Sequence, residues 1–202
     1  MEPPLITPLE EALLQIRADL TALRLPWALI GGLAVSLRGE PRTTRDVDVT
    51  VAVAGDREAE QVVIALRNRG YRELPEGGVL MHRKLDRLVG VRLLPPIAAE
   101  PRAIVDVLFA SSGIEPEIVA HAESVAGPAG MPLPLVSTGH LIALKVLAGR
   151  LQDLADCDNL LQVAKPADLA ETREALQLIT QRGFHLGRDL QADLAKVIAA
   201  KS

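Results

Sequence analysis

Residues Asp46–Val53 read DVDVTVAV, in which every second residue is valine. Successive side chains of a β-strand point to opposite faces of a sheet, so this period of two predicts a strand with one buried face. Valines occupy the face that we expect to be buried: Val47, Val49, Val51 and Val53. Asp46, Asp48 and Thr50 occupy the other face. Aspartate is a poor strand former, so two aspartates on one strand call for a functional explanation.

Hydrophobic patterns around this strand predict a fold that combines strands and helices. Further strands are predicted over Trp27–Ile30, Tyr71–Glu73, Val79–Lys84, Arg87–Leu93 and Ala103–Phe109. Helical spacing predicts helices over Thr7–Leu23, Leu33–Leu37 and Arg57–Arg69, with Asp56 as the cap of the last one.

From residue 137 onward the pattern predicts helices alone. Their expected ranges are Thr138–Ala148, Leu154–Val163, Ala167–Gln181 and Arg188–Ala200, with Ser137 and Asp153 as N-caps. We therefore expect an α+β fold, with a core in residues 1–136 and a helical C-terminal region in residues 137–202.

Composition limits the classes of protein to which the chain belongs. Of the 202 residues, 49% are hydrophobic and 24% are charged, which is enough apolar material for a globular core. The net charge of -4 argues against a protein that grips a long nucleic-acid backbone nonspecifically, because such proteins are usually basic. The single cysteine, Cys157, excludes an internal disulfide and a cysteine-rich zinc site.

Other sequence signals concern location and metal-binding histidines. The N-terminal segment MEPPLITPLEEAL lacks the basic and apolar parts of a signal peptide, and no apolar run approaches the ~20 residues that span a bilayer. We therefore expect a cytoplasmic protein with no membrane partner.

The four histidines lie too far apart in sequence for ligand spacing, so we expect none to be catalytic: His82, His121, His140 and His185.

Asp46 and Asp48 share one face of the predicted strand, roughly 6.5–7 Å apart at the backbone. Two carboxylates this close repel each other unless a cation lies between them. Hard oxygen ligands suit Mg²⁺ and Mn²⁺. The pair therefore indicates a divalent metal site, although the solvated outer face of an ordinary strand would show the same pattern.

Gly31 and Gly32 follow the strand predicted at Trp27–Ile30 and precede a helix. Backbone N–H groups at such a junction bind anions, and glycine lets a phosphate approach closely. An ordinary strand–turn–helix connection has the same sequence, so the two glycines alone leave both interpretations open.

Asp106 lies inside the apolar segment Ala103–Phe109, where an unpaired charge is costly. A metal ion, protonation, a backbone hydrogen bond or a paired arginine would relieve this cost. If the segment lies beside Asp46–Val53, three carboxylates converge on one site.

These features follow one another in a definite order along the chain. An apolar strand precedes Gly31-Gly32, Asp46-x-Asp48 comes next, and Asp106 lies on a distant strand. This order resembles the nucleotidyltransferase superfamily, whose fold is that of DNA polymerase β.

The segment IGGLAVSLRGEPRTTRDVDV is more specific. It resembles the branch with AbiEii-type toxins of type IV toxin–antitoxin systems, uncharacterised nucleotidyltransferases and some aminoglycoside or lincosamide nucleotidyltransferases. Members often carry Arg-x-Thr-x-Asp-x-Asp, which Arg42, Thr44, Asp46 and Asp48 match. Many superfamily members have Gly-Ser at the turn, whereas this chain has Gly32 at the second position.

A downstream segment, HLIALKVLAGRLQDLADCDNLL, resembles a helix of the same branch in which a lysine precedes an Arg-x-x-Asp-x-x-Asp stretch. The matching positions are Lys145, Arg150, Asp153 and Asp156, and the resemblance covers about residues 27–163. Lys145 also fits a packing helix whose lysine extends to solvent, and the aspartates fit structural ion pairs.

The resemblance implies a mixed sheet with flanking helices and the metal-dependent transfer of a nucleotidyl group from a nucleoside triphosphate to an acceptor hydroxyl. Asp46 and Asp48 would bridge two Mg²⁺ or Mn²⁺ ions, and Asp106 would hold one ion and take the acceptor's proton. The amides of Gly31 and Gly32 would orient the phosphates.

Arg42, Thr44 and Lys145 would complete the nucleotide-binding site, with Arg42 and Lys145 neutralising triphosphate charge. Three functions remain open on the sequence. The first is the toxin of a type IV pair, which acts on RNA or protein and has a cognate antitoxin. The others are a small-molecule, antibiotic-type nucleotidyltransferase and a catalytically silent nucleotide-binding module.

Overall fold

The computed structural model of the chain describes residues 7–74, 77–82, 87–97 and 103–200. Eight strands in these ranges form one mixed sheet. The strands are β1 (Trp27–Ile30), β2 (Asp46–Val51), β3 (Arg72–Glu73), β4 (Val79–His82), β5 (Arg87–Leu94), β6 (Ile104–Leu108), β7 (Glu123–Ala126) and β8 (Pro132–Leu135). The α-helices are α1 (Pro8–Ala22), α2 (Gly31–Arg38), α3 (Asp56–Asn68), α4 (Glu115–Ala120), α5 (Thr138–Ala148), α6 (Leu151–Val163), α7 (Pro166–Gln181) and α8 (Leu190–Ala199).

The strand that carries the two aspartates lies inside the sheet. The order of the strands is β3-β5-β6-β2-β1-β8-β7, and β4 also pairs with β5. β2 is antiparallel to β1 and parallel to β6. In this register Asp48 lies between Ile30 on β1 and Asp106 on β6.

The apolar face of β2 forms part of the core. Val47, Val49 and Val51 are fully buried, and α1 packs on this region with Ile16 and Leu20, which are also fully buried. Burial of each such side chain contributes about 1.5–3 kcal/mol. This packing on one face of β2 fixes the direction in which the aspartates of the other face point.

The structure confirms the α+β fold and the predicted strands around the centre of the sheet. β1 and α5 have the predicted bounds. β2 ends at Val51, two residues earlier than predicted. Thr50, expected on the polar face, is 1% exposed, and its hydroxyl donates to the carbonyl of Leu108 on β6 (3.3 Å). The last two residues of the strand predicted at Val79–Lys84 lie outside the described residues.

Two predicted N-caps are wrong. Helix α3 begins at Asp56 with Gly55 as its N-cap, and the Asp56 carboxylate pairs instead with Arg87 on β5 (3.4 Å). Helix α6 begins earlier than predicted, so that Asp153 is its third residue and accepts a hydrogen bond from the N–H of Arg150 (3.2 Å). Aspartate is favoured both at the N-cap and in the first turn, so composition alone does not distinguish these positions.

β7, β8 and α4 were not predicted from the sequence. β8 escaped because Pro132 and Pro134 lack the N–H donor that a strand inside a sheet needs. Alternate residues of a strand point their N–H groups to the same edge. Val136 is the next alternate residue after Pro132 and Pro134, and its N–H donates to the carbonyl of Leu29 on β1 (3.1 Å). The N–H donors that the two prolines lack would therefore have faced β1. Accordingly, β8 pairs with β1 only at Leu135, while it pairs with β7 along its length.

The described residues after β8 form helices α5–α8 and no strand, as predicted. Ser137 is the N-cap of α5, as predicted, and accepts from the N–H of His140 (3.2 Å). Helix α5 lies against α7 at Gly139, where a Cβ would lie 2.5 Å from the carbonyl of Asp168. The division of the chain into two domains at residue 136 stays a prediction. No helix within the described ranges is both long and apolar enough to cross a membrane.

Candidate active site

β2 and β6 bring together the three aspartates that the sequence singled out. The strands are parallel neighbours, and Asp48 and Asp106 are partners in the register between them. Neighbouring strands lie roughly 4.8 Å apart, so these two carboxylates rise from adjacent backbone positions. Asp46 lies two residues before Asp48 on the same strand and therefore shares its face.

The three carboxylates lie in a cleft of about 870 Å³. All the residues that the sequence analysis assigned to the site line this cleft: Gly31, Gly32, Arg42, Thr44, Asp46, Asp48, Asp106 and Lys145. The fold thus gathers segments from β1, α2, β2, β6 and α5 around one space. Its volume is in the range of sites that hold small molecules and cofactors.

Asp48 carries a strongly perturbed carboxylate. Burial raises its pKa from the ordinary 3.8 to about 6, and the neighbouring charge of Asp106 adds to the rise. Lys145 lowers the pKa, as does the backbone N–H of Gly32, which donates a hydrogen bond to the carboxylate. The pKa of Asp48 is therefore raised mainly by burial of its charged form and secondarily by the charge of Asp106.

The two glycines are required by close packing around Asp48. Helix α2 begins at Gly31, two residues before the predicted start. Gly31 has a φ of +69°, and a Cβ there would overlap the carboxylate of Asp48. A Cβ on Gly32 would lie 2.8 Å from Oγ1 of Thr44. Thr44 therefore fills the space that a serine side chain at the turn would need.

Arg92 on β5 belongs to this cluster, although the sequence analysis assigned it no role. It is the cross-strand partner of Asp106 in the antiparallel pair of β5 and β6. Its Nε donates to Oδ1 of Asp106 (2.9 Å) and its Nη2 donates to Oδ2 (2.9 Å). Nη2 also lies 3.8 Å from Oδ2 of Asp46. The hydrogen bonds with Asp106 raise the pKa of Arg92. Of the alternatives considered for the buried Asp106, the structure shows pairing with an arginine.

A second charged group, which we call the Lys145 cluster, comprises Arg42, Lys145, Arg150, Asp153 and Asp156. Nζ of Lys145 lies 2.8 Å from Asp156 and 3.1 Å from Asp153. Asp156 also pairs with Arg42 (2.6 Å), and Asp153 pairs with Arg150 (2.7 Å). Only 8% of the Lys145 side chain is exposed, so of the two interpretations of Lys145 the structure excludes the one in which its side chain extends to solvent. The ion pairs expected for the two aspartates are present.

A match to a known family extends over most of the chain. The family described as "Nucleotidyl transferase AbiEii toxin, Type IV TA system" matches residues 12–199. The chain belongs to the AbiEii nucleotidyl transferase family. It is a nucleotidyltransferase, as the sequence analysis predicted. No curated protein matches the chain.

Solved structures resemble this AbiEii-family chain. An antigenic nucleotidyltransferase-like protein from Paracoccidioides brasiliensis has a TM-score of 0.51 and 19% identity, over 94% of this chain and 90% of that chain. This likeness shows the nucleotidyltransferase fold. The antibiotic-resistance factor ANT(2'')-Ia has a TM-score of 0.45 and 18% identity, over 94% and 92% of the two chains. The lincosamide antibiotic adenylyltransferase LnuA has a TM-score of 0.45 and 17% identity, over 77% and 98%.

The aspartates of this AbiEii-family chain have the chemistry of a divalent metal site. Asp46, Asp48 and Asp106 supply hard oxygen donors, and a nearby cation favours the charged form of a buried carboxylate such as Asp48. Within the described ranges, however, no three acidic, histidine or cysteine side chains are arranged to hold a metal as they stand. Both oxygens of Asp106 instead accept hydrogen bonds from the guanidinium of Arg92.

Residues for which we expected no catalytic role do not line the cleft in the described part of the chain. Cys157 is fully buried, and burial raises the pKa of its thiol to about 12, so the thiolate is disfavoured. His140 packs beside His121, with ring centroids 5.4 Å apart, and its Nδ1 lies 3.0 Å from Glu171. The contact with Glu171 joins α5 to α7, and the contact with His121 joins α5 to the end of α4.

Proposed function

We propose that the cleft binds a nucleoside triphosphate with two Mg²⁺ or Mn²⁺ ions and transfers its nucleotidyl group to an acceptor hydroxyl, with pyrophosphate as the leaving group. The observation that carries this proposal is the register of β2 and β6, which sets Asp48 directly beside Asp106 and next to Gly31. Asp46, Asp48 and Asp106 would hold the metal. When bound, divalent ions neutralise the triphosphate and lower the pKa of the attacking hydroxyl.

The chain's own residues have separate parts in this reaction. The Gly31-Gly32 junction, at the start of α2, would present the positive end of the helix and its first backbone N–H groups to the phosphates, with the N–H of Gly32 shared between the phosphates and Asp48. The small size of both glycines keeps the triphosphate close to Asp48. Asp106 takes the proton of the acceptor hydroxyl when that hydroxyl is held within hydrogen-bond reach.

The Lys145 cluster supplies positive charge to the cleft from α5, from the start of α6 and from the loop before β2. It contains three cations and two aspartates, so it keeps one positive charge in excess. Asp153 and Asp156 fix Lys145 and Arg42 in place before a substrate arrives. Such preorganisation favours electrostatic stabilisation of a triphosphate, because the protein does not need to rearrange around the charge. Thr44 would line the phosphate site beside Gly32.

The biological role that we propose is that of a toxin with a cognate antitoxin. This follows from the description of the matched family as a type IV toxin–antitoxin component. The acceptor in this proposal is a cytoplasmic RNA or protein.

The reaction is tested with purified protein, each α-labelled nucleoside triphosphate, and Mg²⁺ or Mn²⁺. Cellular RNA, cellular protein, and an aminoglycoside or lincosamide are offered as separate acceptors. We expect label on RNA or protein, and its loss in Asp46→Asn and Asp48→Asn. Label on the small molecules alone would favour an antibiotic-type enzyme, and nucleotide binding without transfer to any acceptor would indicate a silent module.

Asp56→Asn is a matched control for Asp46→Asn. Both aspartates have 37% side-chain exposure and both lie near an arginine of β5, but Asp56 does not line the cleft. We expect the control to transfer at the wild-type rate. Equal transfer by wild type, Asp46→Asn and Asp48→Asn would remove the metal assignment.

A further inference from the structure

Arg92 lies where its charge bears directly on the proposed metal ligands. It makes three hydrogen bonds with Asp106, of 2.9, 3.2 and 2.9 Å, and its Nη2 is 3.8 Å from Asp46. Lys145 is near enough to influence Asp48, but its Nζ contacts Asp153 and Asp156. Among the described residues, Arg92 is therefore the cation in direct contact with the carboxylates of β2 and β6.

The bidentate geometry sets up a competition. A guanidinium that binds both oxygens of a carboxylate occupies the lone pairs through which that carboxylate would hold a metal. A positive charge at this place also repels a divalent cation. Arg92 has 38% side-chain exposure against 12% for Asp106, so the arginine is the partner with room to move away.

We propose that Arg92 is the resident counter-ion of the carboxylate cluster and that it competes with divalent metal for Asp106. The inference rests on the proposed function, because it takes Asp46, Asp48 and Asp106 as the metal ligands. Arg92 holds Asp106 in register while no metal is bound, and it must release at least one carboxylate oxygen for the metal to bind. Free metal consequently binds more weakly than three aspartates alone would allow.

A purely supporting role for Arg92 has the opposite consequence. If the arginine only held Asp106 in the orientation that binds metal, its removal would leave the carboxylate misplaced and weaken metal binding. The direction of the change in metal affinity therefore separates the two roles.

The experiment measures Mn²⁺ binding by electron paramagnetic resonance, without nucleotide, in wild type, Arg92→Gln and Arg92→Lys. We expect Arg92→Gln to lower the Kd for Mn²⁺ about tenfold, since charge-assisted hydrogen bonds no longer compete with the metal. Arg92→Lys keeps the charge and loses the planar bidentate contact, so we expect a decrease of about threefold. Thermal unfolding by circular dichroism shows whether each variant is folded.

Arg87→Gln is the matched control. Arg87 lies on the same strand, its side chain is also 38% exposed, and its partner Asp56 lies outside the cleft. We expect its Kd for Mn²⁺ to equal that of the wild type.

A Kd that is unchanged or higher in Arg92→Gln overturns the inference while leaving the metal site intact. If Arg92→Gln does not fold, an unchanged or higher Kd in Arg92→Lys overturns it instead. Absence of Mn²⁺ binding in wild type and in the Arg92 variants, or binding that persists in Asp48→Asn, overturns the metal assignment and the inference with it.

Discussion

Asp48 and Asp106 are direct neighbours across the parallel strands β2 and β6. Their proximity and the burial of Asp48 raise the pKa of the Asp48 carboxylate to about 6, burial being the larger cause. Natural folds retain such a repulsive pair when it serves a function, because uncompensated charges reduce stability. In this nucleotidyltransferase we therefore expect that neutralising one member of the pair increases the stability of the fold but decreases activity.

Asp48→Asn tests this opposition. The amide keeps an acceptor for the N–H of Gly32 but removes the charge that burial and Asp106 disfavour. We expect the free energy of unfolding, measured by urea titration without metal at pH 7.5, to rise by about 1–2 kcal/mol. We also expect nucleotidyl transfer to fall about 100-fold or more. Mutation of residues that merely hydrogen-bond to metal ligands already lowers activity by about 10- to 100-fold, and Asp48 is a proposed ligand itself. A variant that is less stable than wild type would contradict the electrostatic interpretation of Asp48.

Gly31→Ala tests the packing of the turn against Asp48. The new methyl group would overlap the carboxylate of Asp48, and the φ of +69° is unfavourable for alanine. We expect a loss of about 2–4 kcal/mol in urea unfolding, together with loss of transfer. Gly130→Ala is the control, since Gly130 has a φ of +72° and no atom within 4 Å of an added Cβ. It should lose about 1–2 kcal/mol and retain transfer. Equal losses in both variants would show that backbone strain alone is responsible.

The sequence was sufficient for those parts of the fold that a local pattern determines. Alternation in Asp46–Val53 and the apolar segment Ala103–Phe109 identified β2 and β6, and helical spacing identified α5 with its N-cap. The residues to which the resemblance to nucleotidyltransferases pointed all line one cleft. The assigned roles of those residues remain predictions.

Long-range register was beyond the reach of the sequence. Arg92 alternates with buried Val91 and Leu93, so its face was predictable, but its pairing with Asp106 depends on how β5 aligns with β6. Likewise, the apolar neighbours of Lys145 suggested a solvent-directed side chain. Its burial became possible because α6 folds back after α5 and supplies two carboxylates to it. A carboxylate partner on another helix leaves no local signal.

Lys145→Met tests the strength of the Lys145 cluster. Removal of the ammonium leaves Asp153 and Asp156, which are 1% and 2% exposed, with Arg150 and Arg42 as their remaining charged partners among the described residues. We expect the free energy of unfolding in urea to fall by about 2–4 kcal/mol, because a buried charge loses part of its compensation.

Lys196→Met provides the comparison with an exposed pair. Lys196 lies 3.0 Å from Asp193 and its side chain is 76% exposed, so we expect a loss of only about 0–1 kcal/mol. If Lys145→Met were as stable as Lys196→Met, the two arginines would be sufficient partners for the buried aspartates.

The lowered pKa of Glu171 leads us to expect that the free energy of unfolding depends on pH in the acid range. Burial alone would raise the pKa of its carboxyl, but hydrogen bonds from His140 and Ser137 outweigh burial and lower the pKa from 4.5 to about 2. A carboxylate whose pKa is lowered by folding contributes stability above its unfolded pKa. That contribution is lost as the pH falls from about 4.5 towards 2.

Glu171→Gln should remove this part of the pH dependence. We expect the difference in free energy of unfolding between wild type and variant to be on the order of 2 kcal/mol at pH 6 and to shrink between pH 4.5 and 3. Urea titrations at these pH values measure it, with Glu174→Gln, an exposed position on the same helix, as control. A wild type and a Glu171→Gln variant that lose stability in parallel over this range would show that the contacts with His140 and Ser137 do not stabilise the charged carboxylate.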